Sequence, residues 1–400
     1  MDVIRYLNYF LAVFFVQIGL GVIGPVLPDL KAHFDISMTA AGLVMATFGL
    51  ARLIFDLPGG VIAQRFHSIK GTALGVILVS IGSLCSAFAG GYSMLVLGRF
   101  IAGIGSATVN VVVLTHLNRH SDYSNRGKIL GLFQGFFLGG IGIGPAVGGM
   151  IGAAWGWRAT FIFCALTALA ALASVILTPL FQRPEGGRRK EGELPQKQAV
   201  SGIGTEGRAG GDTKAIITVN LVTFIMLFAL EGFNNTIIPL YGSLVLGLPP
   251  DLLGVIITLG VFMRFLISMA GGILSDRLGR VTVLVPCMAT AGVGIIAMYF
   301  AVNYWMFLLA VIIFAIGRMG NNLPLTLLGD LTPPAKIGWM TALNRFIADG
   351  GLALGPLVLG FIADRWGFTA AGIFSITMSW LITLVLWIVF RSRRTARSAV

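Results

Sequence analysis

The stretch that decides the fold is Gly131-Leu-Phe-Gln-Gly-Phe-Phe-Leu-Gly-Gly140-Ile-Gly-Ile-Gly144-Pro145-Ala-Val-Gly148-Gly149. It lies in an apolar segment long enough to cross a bilayer, yet it is rich in Gly and Pro, which weaken helices in water. Inside a bilayer these residues are tolerated, because small side chains let neighbouring helices approach closely. Gly140, Gly144 and Gly148 recur every four residues. They therefore line one face of a helix that Pro145 bends or softens.

The composition indicates a membrane protein. Of the 400 residues, 56% are apolar and only 11% are charged, whereas soluble domains carry about 25% charged residues. The three cysteines are scattered through apolar segments and the four histidines lie in or near loops, so we expect neither a disulfide framework nor a metal site. No phosphate-binding loop is present, so we expect no ATP and no other cofactor.

Apolar runs of about 20 residues, the length that one crossing needs, predict twelve membrane-spanning helices, called spans 1 to 12 below. They cover approximately residues 6–28, 38–62, 70–90, 93–115, 128–152, 159–180, 215–241, 251–274, 281–301, 304–328, 338–362 and 368–390. We therefore predict an all-α membrane protein. Its domains are a six-helix bundle at 1–180, a polar cytoplasmic linker at 181–214 and a second six-helix bundle at 215–400.

The positions of Lys and Arg predict the orientation. If both termini and the linker share one side, that side collects most of the basic loop residues, while the opposite loops hold only Lys31, Arg158 and Arg365. Cytoplasmic loops carry the basic excess. We therefore expect a multi-pass protein of the cell membrane with both termini in the cytoplasm. The formal net charge of +12 is then a signal of topology, and we expect no nucleic-acid partner.

The two halves repeat one another. Arg52 and Gly59-Gly60 recur 212 residues later as Arg264 and Gly271-Gly272. Three further matches are Gly98-Arg99 with Gly317-Arg318, Gly144-Pro145 with Gly355-Pro356, and Pro25 with Pro239. Two equivalent bundles around a site near the middle of the membrane are what transport by alternating access requires.

Three motifs resemble those of the major facilitator superfamily. Gly272-Ile-Leu-Ser-Asp276-Arg277-Leu-Gly279-Arg280 matches the loop motif of that family, and Gly60 to Lys70 is a degraded copy with Gln64 in place of the acid. Arg99-Phe-Ile-Ala-Gly103-Ile-Gly105 resembles the span 4 arginine motif. Gly131 to Gly149 resembles the span 5 pattern of antiporters. Over essentially its whole length the chain is most similar to the twelve-helix drug:proton antiporter branch.

The resemblance implies two gating elements. Asp276, Arg277, Gly279 and Arg280 would form a latch that holds helices together on the cytoplasmic side, whereas the alternative is an ordinary solvated turn. Gly140, Gly144, Pro145, Gly148 and Gly149 would form a flexible interface of span 5 against span 8 of the other half. Plain tight packing of small residues is the alternative for this stretch.

An ionisable residue inside a span is expected to have either a charge partner or a functional role. Inserting one at the centre of a membrane-spanning helix costs about 2.5–3.5 kcal/mol on insertion scales. The candidates are Arg52, Asp56, Arg99, Glu231, Arg264 and Arg318. Arg52 and Asp56 lie four residues apart and could neutralise each other. Arg264 has no such neighbour, since Ser268 replaces the acid.

Glu231 is the first candidate for the proton carrier. It lies near the middle of span 7, where burial disfavours the charged form of a carboxyl group and suits it to take up and release a proton. The alternative is a glutamate bonded permanently to Asn234 and Asn235. Asp56 is the second carboxylate candidate, and Arg99 would modulate the pKa of whichever of the two carries the proton.

In the family arrangement spans 1, 4, 7 and 10 face the transport cavity. The polar substrate contacts would then be Gln17, Asn110, Asn234, Asn235, Arg318, Asn321 and Asn322, with Phe14 and Phe228 among the apolar walls. For most aromatic residues in such a chain, contact with lipid or core is the alternative.

We predict a secondary transporter, not an enzyme: a proton-coupled exporter of hydrophobic or amphipathic small molecules, as in multidrug efflux. Its partners would be the substrate, protons and the bilayer, and the resemblance implies a monomer. The alternative is a carrier of organic anions or polar metabolites. The spans contain four arginines against two carboxylates, and this excess of positive charge would favour a negatively charged substrate if the arginines line the cavity. A transporter-like sensor or intramembrane enzyme is the third reading, but no nucleophile–base arrangement supports it.

Overall fold

The computed structural model describes residues 2–65, 68–121, 125–177, 213–333 and 336–398, and these ranges are almost entirely helical. Ten of their helices are long and apolar enough to cross a membrane. Two of the ten, Lys128–Ile176 and Trp339–Phe390, have 49 and 52 residues, more than twice the ~20 residues of one crossing. They are broken at Gly156 and Gly367, whose φ angles of 80° and 84° lie in the left-handed region. Each therefore crosses twice, and the prediction of twelve spans in an all-α membrane fold is confirmed.

The helices of the first six spans follow the apolar runs. Their bounds are Asp2–Gly21 with a 3-10 turn Gly24–Val26 and the helix Leu27–Phe34 (span 1), Met38–Arg65 (span 2), Ser68–Ala87 (span 3), Tyr92–His120 (span 4) and Arg126–Ile176 (spans 5 and 6). We call the end of the bundle where span 1 begins the terminal face. The opposite end, where span 1 connects to span 2, is the far face.

The last six spans contain more irregular turns. Their bounds are Thr213–Ile225, Met226–Glu231, Phe233–Ile237 and Ile238–Leu244 (span 7), Pro250–Leu278 (span 8), Arg280–Tyr299 (span 9), Tyr304–Gly317, Arg318–Asn322 and Leu323–Leu331 (span 10), and Ile337–Ser398 (spans 11 and 12). The predicted linker lies outside the described residues, apart from its last two positions, which already belong to span 7. The division into domains therefore stays a prediction.

The second half has an apolar core of its own, formed by buried side chains between Val219 and Leu386. The first half has two clusters, and the one nearer the far face includes Leu240 of span 7. Large apolar side chains on the outside are exposed, as expected where lipid replaces water. Trp155, Trp305 and Trp366 lie exposed near the far-face ends of their spans, where aromatic residues favour the membrane interface.

The glycine stripe of span 5 packs against span 1, within the same half. A Cβ atom added to Gly144 would lie 2.7 Å from the carbonyl oxygen of Ile18 and 2.8 Å from the Cα atom of Gly21. Gly140 and Gly148 approach span 1 just as closely. The expected contact with span 8 is made by Pro145 and Gly149, whereas Gly140, Gly144 and Gly148 face span 1. A repeat of four residues defines one helix face without saying which neighbour that face meets.

Another side of span 5 does contact the other half, and we call this contact the span 5–8 seam. A Cβ atom on Gly254 would collide with the carbonyl oxygen of Pro145, and one on Gly149 would collide with the carbonyl oxygen of Pro250. The backbone N–H of Ala146 donates a hydrogen bond of 2.8 Å to a threonine hydroxyl of span 8. Backbone contact at this distance requires glycine and keeps the halves together near the far face.

Spans 2 and 11 form the second contact between the halves, the span 2–11 seam. A Cβ atom on Gly49 would lie 3.1 Å from the Cα atom of Ala353. At the far face the Asp364 carboxylate accepts hydrogen bonds of 2.8 Å and 2.6 Å from the backbone N–H groups of Met38 and Thr39. It thereby caps the first turn of span 2 from the opposite half, where a negative charge is favoured.

Candidate transport site

Span 7 leaves the α-helical path where its polar residues lie. Met226–Glu231 and Phe233–Ile237 are successive π-helical segments. A π turn holds an extra residue, so it rotates the side chains that follow it, and such turns are frequent at functional sites. The orientation of Glu231 and Asn234 therefore differs from the one that a regular helix would give them.

Glu231 lies between two arginines from other spans. Its Oε1 atom is 2.5 Å from Nη1 of Arg264 and also forms an ion pair with Nη2 of Arg318. Nη1 of Arg318 donates a hydrogen bond of 2.9 Å to Asn234, whose amide in turn donates to Asn235 at 3.0 Å. We call these five residues the span 7 cluster, in which two guanidinium groups flank the Glu231 carboxylate. Arg264, which has Ser268 and no acid four residues along span 8, thus finds its partner on span 7.

The polar residues predicted for the first half lie in a neutral environment. Gln17, Ser106 and Asn110 are all buried, and the Ser106 hydroxyl donates a hydrogen bond of 3.4 Å to Oε1 of Gln17. Among the described residues, Nε2 of Gln17 and both amide atoms of Asn110 have no hydrogen-bond partner. Such atoms are costly to bury. They are therefore available to a polar group of a substrate or to water.

Arg99 is buried apart from these residues. Its side chain lies over the Phe48 ring, with the guanidinium carbon 4.6 Å from the ring centre, and its Nε donates a long hydrogen bond of 3.5 Å to the carbonyl of Val44. Nη2 has no partner among the described residues. The ring provides a cation–π contact, and within the described ranges no ion pair with a carboxylate accompanies it.

Asp56 lies near a second acid. Arg52, one turn earlier on span 2, acts on it electrostatically. Asp349, on span 11 of the other half, and Arg345 act on the same group. Asp349 lies inside a predicted span, but nothing in the sequence indicates that the two aspartates lie near each other.

The two predicted apolar walls have different surroundings. Phe14 lines a depression of about 550 Å³ together with Lys128, Gly131, Leu132, Gly135 and Phe136. Phe228 stacks on Phe224 and contacts Phe374, so it packs inside the second half. The side chains of Asn321 and Asn322 lie outside the described residues.

The predicted latch joins three elements of one half. Arg280 forms ion pairs of 2.7 Å with Asp276 and 3.1 Å with Asp330 at the end of span 10. Gly279 precedes it with φ of 93°, which a residue with a side chain rarely adopts. Arg277 is exposed on the same turn. The latch thus ties spans 8, 9 and 10 together at the terminal face.

Metal ligation is not suggested by these groups. Within the described ranges, no group of three or more His, Cys, Asp or Glu side chains could hold a metal ion. The arrangement offers charge, hydrogen-bonding groups and apolar surface, which together can bind and release small molecules and protons.

Known proteins resemble the chain along most of its length. A model of the family described as Major Facilitator Superfamily matches residues 9–267 and 219–400. Quinolone resistance protein NorA of Staphylococcus aureus (strain COL) is 24% identical over 365 residues, which cover 90% of this chain and 89% of NorA. Multidrug resistance protein 2 of Bacillus subtilis (strain 168) is 24% identical over 288 residues, which cover 70% of this chain and 69% of that protein.

Solved structures share the fold. A bacterial homolog of the human lysosomal transporter Spinster, in an inward-facing and occupied conformation, has a TM-score of 0.78 at 16% identity and covers 96% of both chains. A D-xylose–proton symporter has a TM-score of 0.75 at 16% identity, with 95% of this chain and 96% of the symporter covered. The family match, the curated relatives and the shared fold identify a membrane transporter rather than an enzyme, and the chain belongs to the Major Facilitator Superfamily.

Proposed function

We propose that this transporter is a proton-coupled exporter of hydrophobic or amphipathic small molecules, which works by alternating access as a monomer. The observation that carries the proposal is the way in which the halves meet. Both seams bring backbones into close contact near the far face, while span 5 has a free apolar surface toward the terminal face. The basic loops support the assignment of the terminal face to the cytoplasm.

The free surface of span 5 suits a hydrophobic substrate. Nothing lies within 4 Å of a Cβ atom added to Gly131 or Gly135. Phe14, Leu132 and Phe136 line the same depression. Apolar and aromatic walls with few polar groups are typical of sites that bind drug-sized molecules. The relatives NorA and multidrug resistance protein 2 carry names that point to substrates of this kind.

Proton coupling needs a carboxyl group that can exist in two protonation states. Glu231 is held between two arginines, so protonation must compete with two ion pairs. Asp56 instead lies near another acid, Asp349, across the span 2–11 seam. We therefore assign the proton to Asp56, with Glu231 as the group that organises the span 7 cluster and Arg99 as the buried cation of the first half.

Proteoliposomes with an imposed pH gradient and the cationic dye ethidium test the proposal. Wild-type protein should move the dye against its gradient only while the pH gradient persists. The Asp35→Asn variant is the matched control, because it changes an exposed aspartate at the far-face end of span 1 and should keep this dependence. Equal dye movement with and without the gradient would show facilitated transport instead.

The second candidate function is transport of organic anions, which the span 7 cluster favours. Two guanidinium groups against one carboxylate leave a net positive charge among Arg264, Arg318 and Glu231. Benzoate should then compete with the transported substrate, and Arg264→Gln, at the more exposed of the two arginines, should remove the competition. Lack of competition by benzoate in the wild type would exclude this candidate.

A further inference from the structure

A carboxylate of the second half completes the first turn of a helix in the first half. The first N–H groups of a helix have no partner within that helix. In span 2, the N–H group of Ala40 donates a hydrogen bond of 3.1 Å to the Ser37 hydroxyl, which belongs to the same half. The N–H groups of Met38 and Thr39 donate instead to the two carboxylate oxygens of Asp364, at 2.8 Å and 2.6 Å. The second half thus supplies acceptors to a helix of the first.

Each side of this contact is fixed to its own half. Tyr92, the first residue of the span 4 helix, donates a hydrogen bond of 2.8 Å to the carbonyl of Ala40 in the first turn of span 2. Tyr299, at the end of span 9, donates one of 2.6 Å to the carbonyl of Phe368, which lies just beyond Asp364 in the turn between spans 11 and 12. The first turn of span 2 is therefore held by the first half, and Asp364 by the second. Separation of the halves at the far face must break the bonds between them.

The equivalent place in the span 5–8 seam carries no acid. A Cβ atom on Gly149 would collide with the carbonyl oxygen of the first residue of span 8, and one on Gly360 would collide with that of the first residue of span 2. The two glycines therefore make the same contact in the two seams. Four residues after each glycine stand Ala153 and Asp364, respectively. The backbone contact is repeated, but the carboxylate is not.

Span 8 begins in a way that makes an acid from the other half unnecessary. Its first residue, Pro250, has no N–H group to satisfy. Asp251 places a negative charge in the first turn from within the same half, where the helix dipole favours it. Of the two seams, the span 2–11 seam is thus the one in which the charge at the start of a helix comes from the opposite half.

We infer that Asp364 is a gating residue, which holds the far face closed and is released when that face opens. With the far face closed, its carboxylate completes the first turn of span 2. With the far face open, the carboxylate and the N–H groups of Met38 and Thr39 are solvated separately. The hydrogen bonds therefore stabilise the closed far face relative to the open one. This inference rests on the alternating access of the proposed function, but it does not depend on which substrate or ion is moved.

Thiol labelling measures the opening without substrate or pH gradient. Leu240 of span 7 is fully buried in the first-half cluster nearer the far face, so opening of that face uncovers it. A Leu240→Cys reporter is made in the full-length chain with its three native cysteines replaced by alanine, and a hydrophilic maleimide is added in detergent. When opening and closing are fast, the labelling rate follows the population of open molecules, however small it is. Asp364→Ala should raise the rate about fivefold, the change that loss of a typical helix N-cap makes in an equilibrium.

Three controls separate gating from a general loss of packing. Thr39→Val removes the hydroxyl that also donates to Asp364 and keeps the backbone donors, so it should give a smaller rise. Asp251→Ala should leave the rate unchanged, because this acid belongs to the same half as the helix that it stabilises. An Ala171→Cys reporter, buried within the first half, should label at one slow rate with and without Asp364→Ala.

The labelling results and the transport results judge different proposals. An unchanged Leu240→Cys rate in Asp364→Ala, an equal rise at the Ala171→Cys reporter, or an equal rise in Asp251→Ala overturns the inference. If the rates behave as expected and wild-type protein does not couple ethidium to the pH gradient, the gating role stands and the proposed export function is wrong. If ethidium is coupled and the Leu240→Cys rate does not change, the export function stands and the gating role is wrong.

Discussion

The two halves hold different polar pairs at equivalent positions of their interiors. Counted from the first residue of each helix, Ser106 in span 4 and Arg318 in span 10 both lie 14 residues further along (106 − 92 and 318 − 304). Gln17 and Glu231 both lie 8 residues before the proline that matches between spans 1 and 7 (25 − 17 and 239 − 231). The neutral bond between Ser106 and Gln17 thus corresponds to the ion pair between Arg318 and Glu231.

The same count corrects the alignment of the arginines. The sequence pairs Gly98-Arg99 with Gly317-Arg318, but Arg99 lies only 7 residues after the start of its helix (99 − 92). Arg99 and Arg318 therefore do not occupy equivalent positions in the two halves. When the helices are aligned by their first residues, the two arginines lie about two helical turns apart. Arg318 is neutralised inside its own half, whereas Arg99 rests on an aromatic ring without a carboxylate among the described residues.

This difference shows that two halves with the same arrangement of helices need not carry charged residues at the same positions. The second half pairs its buried Arg318 internally, with Glu231. The first half keeps a neutral pair at that place, and its acid Asp56 lies near Asp349 across the seam. A charge whose partner belongs to the same half keeps that partner when the halves move, whereas a charge beside a seam changes its surroundings.

Breaking the charged pair should have the largest effect on stability. Arg318→Ala removes one partner of the buried Glu231 carboxylate, and loss of one partner of a buried ion pair costs about 3–5 kcal/mol. The unfolding temperature of the purified protein in detergent should fall accordingly. The double variant Arg318→Ala with Glu231→Gln should recover part of the loss, because it removes the acid that lost its partner. No recovery in the double variant would show that Arg318 acts through packing.

Substitutions that disturb helix packing should destabilise the two halves equally, whereas substitutions in their polar pairs should not. Gly144→Ala should push span 5 away from span 1, and Gly355→Ala should push span 11 away from span 7. A Cβ atom added to Gly355 would lie 3.1 Å from the Cα atom of Gly232. Overpacking of this kind costs about 1–3 kcal/mol, so both variants should lower the unfolding temperature by similar amounts. Gly131→Ala is the matched control, with nothing within 4 Å of its new methyl group. A large difference between the first two variants would show that the halves are not packed alike.

Removing the neutral pair should have the smallest effect. Ser106→Ala deletes a hydrogen bond of 3.4 Å to Gln17, and a neutral hydrogen bond contributes about 0.5–1.5 kcal/mol net. The unfolding temperature should therefore fall far less than in Arg318→Ala, which occupies the equivalent position. A loss as large as that of Arg318→Ala would contradict the assignment of a neutral interior to the first half.

The sequence predicts the fold better than the site, and particular residues show why. Long apolar runs mark each crossing, and the breaks at Gly156 and Gly367 fall in the short gaps between predicted spans. The partner of Arg264 is not predictable in this way, because Glu231 lies 33 residues earlier and reaches it only after a π turn rotates span 7. The repeat of glycines in span 5 likewise predicts a helix face, but it does not indicate which span packs against that face.

The sequence by itself determined that the chain crosses the membrane twelve times in two similar halves and that it resembles a family of transporters. These properties depend on local composition, on short motifs and on the cost of placing charge in lipid, all of which can be read along the chain. Only the tertiary structure decided which span meets the glycine stripe, that Glu231 joins two arginines, and that Asp56 lies near Asp349. Those contacts depend on the rotation and tilt of each helix against its neighbours, which hydropathy does not specify.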